Sequence, residues 1–492
     1  MRYRQLLKER YKLLIKYIGA LTMGIGTFLL LPLLILFFYP EEVIYLTDFL
    51  VPSIFCLIIG FLAWKLTSYK KEVALSLKEG GIIVLISWII AIGASAAPFV
   101  ITGDLNITQA IFEATSGWTT TGLSVVDVTK APRIFLLWRS IMQFFGGVGL
   151  VVVMLSSVLH PYGFGLYNAE GRSDKLLPHV KRSTKAIMLI YIGYITGGAL
   201  LYILVGMTPF DAINHAIAAL STGGFSTKVN SIGHWNSLPL ELITLILMIL
   251  GTINFATHFT LLRGKIKTFF KNGEIKLLFF LIALFTPIVT YFSMTKLYTN
   301  LPMAFRRAIF EVTSALSTTG YSLDTFANWN QFGILALVIL MWIGGGTGST
   351  AGGIKLYRIY LMIKSFIWEL KAYFLPKNVV VDNYIWHGDS KVYIKDSYIR
   401  QTTNYIFIYM ATYFVGVLIF LAHGYTLSKS MFEFASSLGT VGLSIGITGP
   451  DAPATILWTE TIGMFLGRLE FFVIFFATAK LFKDIKEMSN KS

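Results

Sequence analysis

The chain has 492 residues, of which 55% are hydrophobic and 14% are charged, and its mean hydropathy is +0.67. A water-soluble core of this size could not bury so much apolar surface, so the composition excludes a soluble globular protein and indicates an integral membrane protein. The net charge of +15 would also fit a nucleic-acid-binding protein, an alternative that the placement of the charges can test. The single cysteine, Cys56, excludes an intrachain disulfide.

Ten apolar segments follow one another along the chain, and nearly all reach the roughly 20 residues that span a bilayer as a helix. They cover residues 13–39, 48–66, 81–101, 132–159, 186–207, 238–262, 276–295, 331–354, 403–423 and 455–482. We therefore predict an all-α integral membrane fold with ten transmembrane helices. The first segment is too long for a signal peptide and lacks a small-residue cleavage site, so residues 1–66 are expected to form a retained pair of helices.

The basic residues are distributed unevenly between the two sides of these ten spans. One side holds 32 Lys and Arg residues, the opposite side holds seven, and two lie inside spans. Because cytoplasmic loops carry the excess of Lys and Arg, both termini are predicted to be cytoplasmic. The positive charge is then a sign of membrane topology, and we expect no nucleic-acid partner.

A fifteen-residue pattern occurs four times without a gap, at residues 110–124, 212–226, 308–322 and 430–444. Each copy ends in Thr, a variable residue, Gly, an apolar or aromatic residue, and Ser. In each copy we call the Thr, the variable residue and the Gly the Thr-x-Gly segment, and we number these segments one to four along the chain. Their residues are Thr120, Thr121 and Gly122; Thr222, Gly223 and Gly224; Thr318, Thr319 and Gly320; and Thr440, Val441 and Gly442. All four copies lie between spans on the predicted outer side, which the packing of small residues between helices does not explain.

The repeating unit is an outer helix, a half-helix, a Thr-x-Gly segment and an inner helix. In the second copy, Thr208, Pro209 and Asp211 predict the start of the half-helix as N-cap, first-turn proline and first-turn acid. Four such units account for eight of the ten spans. We therefore divide the chain into a two-helix segment at 1–70 and pore repeats at 71–160, 161–265, 266–375 and 376–492.

One position of the half-helix carries an acid in three copies, Glu113, Glu311 and Glu433, and His215 in the second copy. We place these residues in the first half of each half-helix. There the acids either stabilise the helix through its macrodipole or line a vestibule that attracts cations.

The Thr-x-Gly segments have the chemistry of a filter for monovalent cations. A half-helix that ends inside the membrane directs its negative dipole end at the segment after it. A ring of four extended segments offers layers of carbonyl oxygens that replace the hydration shell of a cation, and the glycine lets four backbones crowd one axis. The fourth copy, from Thr440 to Ser444, reads Thr-Val-Gly-Leu-Ser, close to the Thr-Val-Gly-Tyr-Gly loop of potassium channels.

Residues 344–353 contain six glycines inside the predicted third inner helix, and we call them the glycine loop. They superficially match a dinucleotide fingerprint, but the preceding residues form a membrane span where that motif requires a strand. We instead predict that the helix unwinds beneath the filter, beside a water-filled cavity, and that only this inner helix is broken by glycines. The predicted gating residues are Gly344, Gly345, Gly346, Thr347, Gly348, Ser349, Thr350, Gly352, Gly353 and Arg468.

Arg468 is costly in lipid, so it is expected to face the pore or the protein interior. It either holds the glycine loop and opposes cations, or it pairs locally with Glu460 or Glu470. Arg139 and Glu241 are interpreted as span-end residues outside the pathway.

These motifs together resemble the Trk/Ktr/HKT superfamily of potassium transporters, and most closely its bacterial TrkH/TrkG branch, over essentially the whole chain. The resemblance implies that the four segments are selectivity filters, that residues 344–353 are an intramembrane gating loop, and that an Arg is typical at position 468. Because Gly122 stands where sodium-transporting plant relatives have Ser, it also favours potassium as the substrate. It implies no cofactor in this chain, a homodimer in the bacterial inner membrane, and a cytoplasmic TrkA-type nucleotide-binding ring as regulatory partner.

Two alternatives remain. A potassium symporter coupled to protons or sodium requires a carboxylate near the midplane, for which the third and fourth inner helices offer only Glu460 and Glu470. A membrane enzyme requires a metal or nucleophile constellation, and neither is evident because the seven histidines lack ligand spacing. We therefore expect no enzymatic activity.

Overall fold

The computed structural model describes residues 2–67, 76–149, 180–376, 382–387 and 390–489. The elements of the first half are α1 (Arg2–Leu29), two 3₁₀ helices (Leu31–Phe37 and Pro40–Tyr45), α2 (Leu46–Leu66), α3 (Leu77–Ile101), α4 (Ile107–Trp118), α5 (Arg133–Val148), α6 (Val180–Leu204), α7 (Pro209–Leu220), a 3₁₀ helix (Ser231–His234), α8 (Leu238–Thr252) and α9 (Phe255–Leu262).

The second half is also helical, apart from one short hairpin in the described residues. Its elements are α10 (Ile266–Lys271), α11 (Gly273–Val289), a π-helical turn (Thr290–Met294), α12 (Thr295–Leu297), α13 (Leu301–Ser317), a 3₁₀ helix (Phe326–Asn328), α14 (Gln331–Ile343), α15 (Leu356–Phe374), β1 (Tyr384–His387), β2 (Ser390–Tyr393), α16 (Asp396–Ala422), α17 (Leu427–Leu438), α18 (Ala454–Leu469) and α19 (Phe471–Ser489). The strands are antiparallel, with Tyr384 opposite Tyr393. The predicted helical class is therefore confirmed, with this hairpin as an addition.

The chain packs as two compact units, the first within residues 1–119, 124–193 and 449–492. In this unit α1 and α2 lie directly against each other, because a Cβ atom added to Gly60 would be 2.6 Å from the carbonyl oxygen of Gly19. Such close backbone approach through glycines is typical of membrane helix pairs. The short helix α4 is enclosed by α3, α5 and α18.

The second unit comprises residues 120–123 and 194–448, and so contains all four Thr-x-Gly segments. The helices that precede the second, third and fourth segments each pack on other helices of this unit. Helix α7 contacts α8, α13 contacts α8, α11 and α14, and α17 contacts α14 and α16.

Six helices of the described chain are long and apolar enough to cross a membrane, and two bent helix pairs bring the number to eight. The protein is thus a multi-pass membrane protein. The predicted span 132–159 lies partly outside the described residues, and α14, in the predicted span 331–354, has only 13 residues. The count of ten spans therefore stays a prediction.

The glycine loop interrupts the predicted third inner helix, and the predicted second and fourth inner helices are interrupted as well, without a glycine cluster. The second turns by 109° between α8 and α9, and the fourth turns by 98° between α18 and α19. Neither bend needs a glycine cluster: Asn254 caps α9 by accepting a hydrogen bond from Ala256 N at 2.7 Å, and Glu470 takes φ 62° at the other bend.

Short helices precede all four Thr-x-Gly segments, as predicted. Three of them, α4, α7 and α17, have 12 residues, which at about 1.5 Å per residue cannot cross a bilayer. The predicted start of α7 is confirmed, because the Thr208 side chain accepts a hydrogen bond from the backbone N–H of Asp211 and Pro209 is the first residue of the helix.

Candidate ion pathway

The four Thr-x-Gly segments share one backbone conformation. The leading threonine has a left-handed φ in each: 54° at Thr120, 51° at Thr222, 56° at Thr318 and 50° at Thr440. The closing glycines also have positive φ values, between 68° and 97°, whereas the residue between them does not. This alternation of positive and negative φ is the same in all four segments.

This conformation is strained at the threonines. A left-handed non-glycine residue costs about 1–3 kcal/mol and persists mainly at functional sites, where the surrounding structure enforces it. The same strain at the same position of four segments therefore makes these residues the candidate site.

The segments also form a closed ring. A Cβ atom added to Gly122 would lie 2.2 Å from the carbonyl oxygen of Gly223, and one added to Gly224 would lie 2.0 Å from that of Thr319. The series continues from Gly320 to Val441 O at 2.0 Å and returns from Gly442 to Thr121 O at 2.1 Å. Each glycine thus faces the middle carbonyl of the next segment, and only a residue without Cβ fits at these four positions.

Oxygen atoms that suit a desolvated cation line this ring. In the described part of the chain, the hydroxyl groups of Thr120 and Thr440 are buried and have no hydrogen-bond partner. A buried polar group without a partner is unfavourable, so such oxygens are suited to accept a ligand. The negative dipole ends of the short helices add to this, since each helix ends at most two residues before its threonine.

The acids of the short helices have a different role from the two predicted for them. Glu113 is the seventh of the 12 residues of α4 and Glu433 the seventh of those of α17, so neither lies in the first half. The vestibule alternative is also wrong, because the side chains of Glu113, Glu311, Glu433 and His215 are all fully buried.

These side chains instead hold the residues that leave each Thr-x-Gly segment. Glu113 accepts hydrogen bonds from Ser124 Oγ at 3.0 Å and Val125 N at 2.9 Å. Glu433 accepts them from Ser444 Oγ at 2.6 Å and from the next backbone N–H at 2.8 Å.

In the other two copies the corresponding side chains also bond residues that directly follow the Thr-x-Gly segment, but through different groups. Glu311 accepts a hydrogen bond from Leu323 N at 2.7 Å. The Nε2 atom of His215 pairs with Ser226 Oγ at 3.0 Å. The spacing of 11 residues from the acid or His to the closing Ser was the sequence signal for this clamp.

Sequence reasoning also missed Arg139. This side chain is buried two turns into α5, where its Nε donates to Glu113 Oε1 at 2.7 Å and its Nη2 donates to Ser124 Oγ at 3.0 Å. The interpretation of Arg139 as a span-end residue is wrong. Glu241 does lie in the first turn of α8, where Arg306 binds it with two hydrogen bonds of 2.6 Å.

Replacing Arg139 with Met should lower the free energy of unfolding by about 3–5 kcal/mol, because Glu113 would stay buried without its cation. The expected result is a lower thermal unfolding midpoint in detergent. Arg306→Met is the matched control, since its pair is partly exposed and should contribute less. Equal midpoints for the two variants would contradict a stabilising role of the buried pair.

The glycine loop unwinds the third inner helix as predicted, between the end of α14 at Ile343 and the start of α15 at Leu356. Its two ends pair with each other, with Ile354 N donating to Trp342 O at 2.9 Å and Lys355 N donating to Ile343 O at 3.0 Å. The loop is therefore a closed structure.

The loop lies directly against the Thr-x-Gly segments. The Thr350 hydroxyl is 3.2 Å from that of Thr222 and 3.0 Å from the carbonyl oxygen of Leu220. The backbone N–H of Gly352 donates to the Thr318 hydroxyl at 2.8 Å. A Cβ atom on Gly352 would be only 2.0 Å from the Thr440 hydroxyl. Three of the four leading threonines thus touch this loop.

The bend between α8 and α9 holds the loop from a second side. Gly346 N donates to Thr252 O at 2.9 Å, and Asn254 Nδ2 donates to Thr347 O at 2.5 Å. Glu274, in the first turn of α11, accepts from Thr347 N at 2.9 Å. The bend between α8 and α9 therefore places Thr252 and Asn254 where they bond the glycine loop.

Arg468 lies one residue before the end of α18 and is half-buried. Its Nη2 atom donates to the carbonyl oxygens of Gly146 at 2.5 Å and Gly147 at 3.3 Å, in the last turn of α5. A cation at a helix C-terminus satisfies carbonyls that lack partners within the helix. Its predicted role as a barrier to cations stays a prediction.

A family described as "TrkH: Cation transport protein" matches residues 47–488. The chain belongs to the TrkH family. It is 30% identical to an uncharacterised cation transporter of Methanocaldococcus jannaschii, over 97% of this chain and 99% of that protein. It is 31% identical to the Trk system potassium uptake protein TrkG of Escherichia coli, over 90% of this chain and 92% of that protein.

The fold is also that of a TrkH protein. The crystal structure of the potassium transporter TrkH from Vibrio parahaemolyticus superposes with a TM-score of 0.82 at 26% identity, covering 96% of this chain and 98% of that one. The resemblance to the TrkH/TrkG branch is therefore confirmed.

Proposed function

We propose that this protein carries potassium ions across the membrane through a pore whose filter is the ring of four Thr-x-Gly segments. The observation that carries the proposal is the closed succession in which each filter glycine abuts the middle carbonyl of the next segment. A narrow ring lined with carbonyl and hydroxyl oxygens suits a partly desolvated monovalent cation. The potassium named for the TrkH and TrkG relatives supports the choice of ion.

The glycine loop is the gate in this proposal. Its contacts with the hydroxyls of Thr222 and Thr318 and its close approach to Thr440 support a position that blocks the end of the filter. Arg468 is the second element of the gate in this proposal, because a guanidinium is costly in lipid and repels cations.

The charge distribution and the family support a proposal for the membrane and the partners of this pore. We infer a bacterial cytoplasmic membrane with both termini in the cytoplasm, supported by the excess of Lys and Arg on that side. A homodimer and a cytoplasmic TrkA-type nucleotide-binding ring are the proposed partners, and potassium is the substrate with no cofactor in this chain. The basic cytoplasmic stretch 355–400 is the proposed docking region for the ring.

Flux measurements in proteoliposomes test the proposal. Rubidium, as a potassium tracer, should enter much faster than sodium, and the reversal potential should follow the potassium gradient when a proton gradient of opposite direction is imposed. Equal rubidium and sodium uptake would refute the filter assignment. A reversal potential that shifts with the proton or sodium gradient would instead support the coupled symporter.

A further inference from the structure

Two positions set repeats two and three apart from the others. His215 replaces the acid found in the other three short helices, and Tyr321 follows the third filter glycine where the other copies have Leu123, Phe225 and Leu443. These two departures contact each other, since the rings of His215 and Tyr321 stack at 5.7 Å between centroids and 26° between planes.

The hydroxyl of Tyr321 reaches across to the second repeat. It lies 3.1 Å from the carbonyl oxygen of Phe225, which directly follows the second filter glycine, and 3.3 Å from that of His215. The Tyr321 carbonyl is itself held by the Ser314 hydroxyl at 2.5 Å. The side chain is fully buried, so water does not compete for these contacts.

Thr-x-Gly segments two and three, with the residue after each, therefore contact each other at two positions. At the filter glycine, the Thr319 carbonyl faces Gly224, and two residues further on the Tyr321 hydroxyl faces the Phe225 carbonyl. Because the other copies carry Leu or Phe after the glycine, this position supplies a hydroxyl strut only between segments two and three.

We propose that Tyr321 is a positioning residue for ion selection, which fixes the spacing between Thr-x-Gly segments two and three through its hydroxyl. The proposal rests on the filter function proposed above. A carbonyl ring discriminates between ions only while its oxygens keep their separation, and a buried hydrogen bond between segments restrains that separation.

The same contact explains why the second repeat lacks the acid. A carboxylate in place of His215 would face the negative face of the Tyr321 ring, whereas an imidazole stacks on it and still bonds Ser226. His215 and Tyr321 therefore depend on each other.

Tyr321→Phe removes only the hydroxyl. In proteoliposomes of the full chain we expect the ratio of rubidium to sodium flux to fall about threefold to tenfold. This fold-change corresponds to the free energy that one buried hydrogen bond contributes. Tyr202→Phe is the matched control, because it removes a fully buried hydroxyl that bonds Thr244 at 2.7 Å, between α6 and α8. An unchanged ratio in Tyr321→Phe, with a selective wild type, would overturn the strut but not the filter.

A double-variant cycle gives an independent test. His215→Glu and Tyr321→Leu, which introduce the residues of the first repeat at both positions, should each reduce the flux ratio when made alone. Because the two side chains are in contact, the double variant should lose less than the sum of the single changes. Additive losses would overturn the proposed dependence. Equal rubidium and sodium flux in the wild type would instead remove the filter function on which both tests rest.

Discussion

Deleting residues 346–350 is expected to raise rubidium flux by at least about tenfold while the ratio of rubidium to sodium stays near that of the wild type. The deletion removes the donors by which the loop binds the carbonyl oxygens of Leu220, Gly251 and Thr252. Because each hydrogen bond contributes about 1 kcal/mol, the closed position of the loop loses most of its free-energy advantage over an open position. The filter glycines are untouched, which is why selectivity should persist. Tracer uptake in proteoliposomes without any cytoplasmic partner measures both quantities.

A point variant tests the same loop with less disturbance of the fold than the deletion. Thr350→Val keeps the side-chain volume but loses the hydroxyl that contacts Leu220 O, Gly251 O and Thr222, so flux should again rise, by roughly fivefold to thirtyfold for 1–2 kcal/mol. Thr290→Val is the control, because within the described residues the Thr290 hydroxyl bonds the carbonyl of Thr286, one turn earlier on its own helix, and no other element. Flux that stays level or falls in both loop variants, with the control unchanged, would rule out the gate.

Local sequence patterns predicted much of the backbone structure of the candidate pathway. The start of α7 at Thr208 and Pro209 follows from capping chemistry that involves only neighbouring residues, and the unwinding at residues 344–353 follows from the low helix propensity of glycine. The close approach of four backbones at the glycines of the Thr-x-Gly segments also follows from the pattern, because every copy has a residue without Cβ at the same point.

The parts that were missed depend on contacts between residues distant in sequence. Arg139 reaches Glu113 across 26 positions, and Tyr321 reaches Phe225 across 96. For Arg139 a signal did exist, since a charge two turns into an apolar helix needs a buried partner. Bends at residues 253 and 470 carry no glycine cluster, so composition could not reveal that three inner helices are interrupted.

The second large effect is expected at the filter glycines, where Gly122→Ser should raise sodium flux relative to rubidium by about tenfold or more, the effect of roughly 1.4 kcal/mol in the relative barriers. The added Cβ would lie 2.2 Å from the carbonyl oxygen of Gly223, and φ of 95° already disfavours a side chain. The carbonyl must therefore move, and the ring loses the spacing that suits the larger ion. Paired rubidium and sodium uptake by the folded variant measures this change.

Two further glycines separate the clash from other effects of the substitution. Gly446 has nearly the same φ, 91°, but no atom of the described residues lies within 4 Å of an added Cβ, so Gly446→Ser introduces the strain without the clash. Gly93 lies inside α3 with open space and no positive φ, so Gly93→Ser introduces neither. If selectivity falls in all three variants alike, the loss reflects general destabilisation. If it falls only in Gly122→Ser, the contact between the glycine and the neighbouring carbonyl controls which ion passes.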